Sequence, residues 1–135
     1  MLSCVVDSDN SILRLVVMMG MIHDNNMCHT FQHADWKYRH AALMAISASG
    51  EGCHKQMEPY LETVMEGVMN YIADPHPRVR YACCNAIGQM STDFAPVFEK
   101  KFHAKVIPGL LLLMNDSANP RVQVGRLKSQ NKYIK

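Results

Sequence analysis

Residues 74–88 read DPHPRVRYACCNAIG, a turn followed by the start of an amphipathic helix. Proline suits the turn and the first helical position, because its missing N–H is unpaired there in any case. Beyond Pro77, small and apolar side chains recur at helical spacing on one face. These positions are Val79, Ala82, Cys83, Ala86, Ile87 and Met90. The pattern predicts a helix that begins near Pro77 and buries this face.

The same pattern occurs about 41 residues earlier in the chain. The matching positions are Tyr38, Ala41, Ala42, Ala45, Ile46 and Ser49. Arg39 and Arg80 follow the first member of each set, and Asp35 precedes the earlier helix as a candidate cap. A third start, Pro120-Arg121-Val122, repeats Pro77-Arg78-Val79. The chain therefore contains an internal repeat of first helices.

The segments between these helices repeat as well. Leu61, Val64, Met65, Val68 and Ile72 are matched, about 42 residues later, by His103, Val106, Ile107, Leu110 and Met114. Each unit reads as a first helix, a turn and a second helix, and helix pairs of this period are typical of HEAT or armadillo repeats. We predict an all-α, HEAT-repeat (armadillo-like) α-solenoid of about two helix-pair repeats, at about 35–74 and 75–116, with a third beginning at 119.

Helix ends inside the units are less certain from sequence. Cys53 and His54 are expected to close the loop after the first helix of the first unit, and residues 91–96 to separate the two helices of the second. An interior proline costs a helix about 3 kcal/mol. At Pro108, therefore, either the second helix kinks or a new helix begins.

Several segments carry a family resemblance. Residues 74–88 resemble the HEAT pattern, and 106–111, VIPGLL, resemble its second helix. Residues 36–45, WKYRHAALMA, with 50–54, are similar to the karyopherin-beta (importin-beta) family, in particular its Ran-binding beta-three group. Residues 93–96, DFAP, and 100–103, KKFH, extend this similarity, which covers roughly 34–123.

The resemblance implies a nuclear import receptor that binds cargo non-covalently on a helical solenoid, in the cytoplasm and nucleus, without catalysis or cofactor. The implied partners are protein cargo with a basic signal, the small GTPase Ran and nucleoporins. In the family Ran binds amino-terminal repeats, so these residues alone are not expected to bind it. The alternative is a HEAT-repeat scaffold or adaptor for a multiprotein complex without transport activity.

The two ends depart from the repeat pattern. Residues 1–33 are expected to form an atypical helical or poorly ordered segment, and 124–135 a basic tail. Because solenoids generally need three or more units to bury their faces, we expect the chain to be a fragment, a truncated product or a gene-model artefact.

The net charge and the longest apolar run exclude two further classes of protein, nucleic-acid binders and membrane-spanning proteins. Fourteen Lys and Arg against twelve Asp and Glu leave a net charge of +2, too balanced for binding driven by nucleic-acid phosphates. The apolar run 12–22 is shorter than the roughly 20 residues of a membrane span and contains Arg14. We therefore expect no nucleic-acid partner and no membrane span.

Five cysteines and seven histidines raise the possibility of a metal site or a thiol enzyme. Cys28-His29 and His33 lie close in sequence, but no pair has the Cys-x2–4-Cys spacing of structural zinc. Cys53 and His54 are adjacent, which does not orient an imidazole toward a thiol. Cys83 and Cys84 replace apolar residues of the first unit and are expected to be packed. We predict no metal, cofactor or catalytic residue.

Candidate cargo-binding residues are Glu58, Glu62 and Glu66, which share one face of the first unit's second helix. Three like charges repel unless they are solvated or face a cationic partner, and both possibilities remain open. Lys100, Lys101 and Lys105 give the next unit the opposite charge. In the family, second helices line the concave cargo surface.

The resemblance gives Arg39, Asp74 and Arg80 a structural role, because the family uses this arginine in a hydrogen-bonded ladder between repeats. Trp36 is expected either to cap the stack of repeats or to make a contact.

Overall fold

The computed structural model describes residues 32–113 and 118–122, with four helices and one 3-10 turn. The elements are α1 (Trp36–Met57), the 3-10 turn Glu58–Tyr60, α2 (Leu61–Met69), α3 (Pro77–Asp93) and α4 (Val97–Leu112). Residues 118–122 hold a turn and the start of a further helix. These described ranges contain no strand, so the all-α prediction is confirmed. None of their helices has the length and apolar character that a membrane crossing requires.

The two first helices, α1 and α3, make the most extensive contact, and α2 and α4 each pack against α3. All six predicted core positions of α3 are buried, as are the five predicted for the second helix of the first unit. Burying one large aliphatic side chain contributes about 1.5–3 kcal/mol, so these faces stabilise the helix pairs. Val122, in the third copy of the pattern, is also buried.

In α1 the predicted face is only partly correct. Ala42 and Ile46 are buried, whereas Tyr38 is 52% exposed, and Leu43, absent from the prediction, is fully buried. The described neighbours explain the difference. Helix α3 has α1 against it on one side and shares a groove with residues 118–122 on another, whereas α1 has α3 as its one described first-helix neighbour.

The predicted loop at Cys53 and His54 is wrong, because α1 continues through these two residues to Met57. Gly50 marks a close approach of two helices instead. A Cβ atom added there would overlap the Asp93 carboxylate of α3, whose Cγ would be 3.1 Å away. Because glycine has no Cβ atom, α1 and α3 can approach closely at this position.

Two further helix ends differ from the sequence pattern. Helix α3 includes residues 91–93, so the turn before α4 is shorter than expected. Helix α4 continues through Pro108, and no new helix begins there. Pro108 cannot donate to the Ala104 carbonyl, but both residues are exposed, so water can hydrogen-bond that carbonyl.

The prediction that Cys83 and Cys84 are packed thiols is confirmed, because neither forms a disulfide and both are fully buried. Cys83 Sγ lies 3.2 Å from the Val68 carbonyl oxygen, and burial raises the pKa of this thiol well above its ordinary value. Among the described residues, no three His, Cys, Asp or Glu side chains lie close enough together to bind a metal ion. Cys28, His29 and the side chains of Cys53 and His54 lie outside the described part, as do residues 1–31, 114–117 and 123–135.

Candidate functional site

The turn between the two units holds an ion pair that links them. The Asp74 carboxylate accepts from Arg39 Nε at 2.8 Å and from Arg39 Nη2 at 3.1 Å. It also accepts from the His76 backbone N–H at 2.8 Å, which fixes the turn before α3. The side chains of Arg39 and Asp74 are 12% and 5% exposed. Hydrogen bonding to Asp74 raises the pKa of the Arg39 guanidinium, in spite of partial desolvation.

The same arginine position makes the same backbone contacts in both units. Arg39 Nη1 donates to the carbonyls of His33 and Ala34 at 2.7 and 3.0 Å. Arg80 Nη1 donates to the carbonyls of Asp74 and Pro75 at 2.7 and 3.1 Å. Each arginine thus holds the turn that precedes its own helix. Among the described residues, Arg39 in addition bridges to the following turn through Asp74.

The three candidate acidic residues do not all lie in one helix. Glu58 is in the 3-10 turn, whereas Glu62 and Glu66 are on α2, one helical turn apart. All three are exposed. Glu66 Oε1 lies 3.9 Å from Lys105 Nζ of α4, and both side chains are more than half exposed, so this pair is weak. Within the described residues, neither Glu58 nor Glu62 takes part in an ion pair.

A shallow groove lies between α2 and α4, beside Glu66. It is lined by Met65, Glu66, Met69, Asn70, Phe102 and Lys105. The sequence pattern did not indicate this groove, because it assigned most methionines to the core. Met65 is buried, but Met69 is partly exposed. The groove therefore combines an apolar floor with charges of both signs at its edge.

Trp36 makes aromatic contacts at the start of α1. Its ring stacks on His76 with a centroid distance of 3.9 Å and an interplanar angle of 4°. The Arg78 guanidinium lies 5.6 Å from the same ring, and His40 packs edge-on at 6.2 Å. Burial lowers the pKa of His40, and the charges of Arg78 and His76 lower it further.

A second groove opens next to this cluster, on the first-helix side of the fold. It is lined by His40, Pro77, Arg78, Tyr81, Ala118, Asn119, Pro120, Arg121 and Val122. The sequence did offer a signal for this basic groove, the repetition of Pro-Arg-Val at 77 and 120.

The chain was then compared with known proteins. A family model described as a HEAT-like repeat matches residues 36–90. Importin subunit beta-3 of Saccharomyces cerevisiae is 39% identical over 89 residues, which are 66% of this chain and 8% of that protein. The predicted HEAT-repeat solenoid is confirmed by the family match together with the helix-pair architecture.

Two solved structures are also similar. The karyopherin Kap121p bound to the SUMO protease Ulp1p superposes with a TM-score of 0.74 at 33% identity, over 78% of this chain and 10% of that one. Kap121p bound to Nup53p gives a TM-score of 0.73 at 34% identity, over 77% and 10%. The chain therefore spans about a tenth of the length of these relatives.

Proposed function

This chain belongs to the importin-beta (karyopherin-beta) superfamily, and the members that it matches are nuclear transport receptors; we therefore propose that it contributes a cargo-binding surface to nuclear import. The surface is the acidic face of Glu58, Glu62 and Glu66. Its ligand is a protein cargo that carries a basic signal. The work is non-covalent binding rather than catalysis.

The observation that carries this proposal is the exposure of three carboxylates on the second-helix side, two of them without a cation among the described residues. Their mutual repulsion is relieved when a cationic segment lies along them. Kap121p has been solved with the protein Ulp1p bound, which supports a protein ligand for this chain as well.

The chemistry of the surface suggests how binding energy is divided. Exposed ion pairs contribute at most about 1 kcal/mol each, so the carboxylates act mainly in orientation and association rate. The groove beside Glu66 offers apolar contact at Met69 and Phe102, and a methionine side chain adapts to different partners. A basic cargo segment would thus bind through charge and apolar contact together.

Membership of the family also suggests where the whole receptor acts and what its other partners are. We propose a cytoplasmic and nuclear location and release of cargo controlled by Ran in the whole receptor. Nucleoporins are proposed as further partners, since Kap121p was solved bound to Nup53p. Ran itself is not expected to bind these residues alone.

Binding of a labelled Lys-rich peptide to the full chain, measured by fluorescence anisotropy between about 50 and 300 mM salt, tests the proposal. We expect affinity to fall as salt rises. The Glu62→Lys, Glu66→Lys double variant is expected to bind more weakly and with a flatter salt dependence, because the carboxylates that attract the peptide are reversed.

A matched control is Glu99→Lys, a charge reversal on α4 outside the acidic face, which is expected to change the affinity much less per residue. Equal affinity of wild type and the double variant across the salt range would remove the proposed surface. In that case the alternative, a scaffold without transport activity, would be the better explanation of the repeats.

A further inference from the structure

A row of cationic side chains follows the first helices along the solenoid. Lys37 and Arg78 occupy the second position of α1 and α3, and Arg121 holds the same position where the next helix begins at Pro120. All three are exposed. The repeat therefore places one positive charge at the same edge of each successive unit, on first helices rather than on the second helices that carry the acidic face.

The row borders a groove at two of its three members. Arg78 and Arg121 line one groove together with His40 and Tyr81, and none of the described lining residues is acidic. Within the described residues, neither guanidinium takes part in an ion pair. The positive potential is therefore not neutralised by these parts of the chain.

The Arg78 side chain already contacts an aromatic ring before any ligand arrives. Its guanidinium lies 5.6 Å from the Trp36 ring, which in turn stacks on His76 at 3.9 Å. An ordered planar guanidinium loses less conformational entropy on binding and matches the geometry of a carboxylate. Burial is the main cause of the lowered pKa of His40, and the charges of Arg78 and His76 lower this pKa further.

We propose that the groove between α3 and residues 118–122 binds an acidic peptide segment of a partner protein, with its carboxylates on Arg78 and Arg121. Packed helices lie about 8–10 Å apart, and one turn of a polyproline II segment spans three residues and about 9 Å, which returns every third side chain to the same face. Acidic residues at every third position of the peptide would therefore meet successive cations of the row. The site is separate from the acidic face and takes a ligand of opposite charge.

The test uses the full chain and a fluorescein-labelled peptide with glutamate at every third position, titrated in fluorescence anisotropy. A peptide with glutamine at the same positions is the reference. We expect the glutamate peptide to bind at least tenfold more tightly. The Arg78→Gln, Arg121→Gln double variant is expected to lose at least tenfold of that affinity.

The matched control is the Lys100→Gln, Lys101→Gln variant, which removes the same charge from exposed positions of α4 and is expected to shift the affinity less than twofold. If circular dichroism shows that the double variant is unfolded, Arg121→Gln alone provides a second readout. Among the described contacts of the Trp36 ring, none involves Arg121. This single variant is expected to weaken binding about threefold.

Three results would overturn the proposal. These are equal binding of the glutamate and glutamine peptides, equal losses in the arginine and lysine variants, and binding of a single-stranded oligonucleotide as tightly as the glutamate peptide. The last would mean that the groove attracts any polyanion.

Discussion

Replacing Asp74 by alanine is the sharpest test of how the two units are joined. The change removes three hydrogen bonds to one carboxylate, two from Arg39 and one from the His76 backbone N–H. It leaves a cationic side chain that is only 12% exposed without its anion. Breaking a buried ion pair by removing one partner costs about 3–5 kcal/mol.

The lower end of that range is expected, because Arg39 keeps its bonds to the carbonyls of His33 and Ala34. We expect Asp74→Ala to lower the free energy of unfolding by about 3 kcal/mol. With a urea m-value of about 1.5 kcal/mol/M, the unfolding midpoint would fall by about 2 M. Asp74→Asn retains one acceptor oxygen and is expected to cost about 1–2 kcal/mol.

Urea unfolding followed by far-UV circular dichroism gives these values, and a double-mutant cycle with Arg39→Met isolates the pair. The control is Glu66→Gln, which removes the exposed 3.9 Å pair with Lys105 and is expected to leave the midpoint unchanged. A loss below about 1 kcal/mol for Asp74→Ala, or strictly additive effects in the cycle, would refute the view that this carboxylate joins the units.

Two further predictions concern packing and pH. Gly50→Ala should lower the free energy of unfolding by about 1–2 kcal/mol in urea, because overpacking against Asp93 exceeds the gain in helix propensity. Gly109→Ala should be nearly neutral, because the nearest atoms are the side-chain ends of Ile72 and Met69, which can rotate. Equal effects of the two substitutions would contradict this reasoning. The lowered pKa of His40 means that the folded state resists its protonation, so stability is full above about pH 6.5 and falls below it. Stability measured between about pH 5 and 7 should therefore vary less in His40→Gln, and an unchanged pH profile would show that His40 does not contribute.

The repeat and its core were predictable because they rest on local periodicity. The faces from Val79 to Met90 and from Leu61 to Ile72 are buried as the helical spacing predicts. The exposure of Tyr38 and the burial of Leu43 were not predictable in this way. They depend on which neighbours a helix has on each side, and no spacing within the helix contains that information.

Of the two candidate surfaces, the acidic face could be predicted from the sequence and the basic groove could not. The acidic residues were identified from their spacing, and their exposure agrees with a charged helix face, but the 3-10 turn that separates Glu58 from α2 was not foreseen. The basic groove needed the fold, because Arg78 and Arg121 lie about 43 residues apart in the chain and become neighbours only when the repeats stack.

The all-α class, the period of the helix pairs, the buried thiols Cys83 and Cys84 and the arginine at the same position in each unit could all be predicted from the amino-acid sequence. Hydrophobic periodicity and repetition are properties of the chain alone. Three features required the folded structure: the close approach of α1 and α3 at Gly50, the passage of α4 through Pro108, and the ion pair between Asp74 and Arg39. These outcomes depend on energies between segments distant in sequence, where a close approach or a buried ion pair outweighs the local preference of a residue.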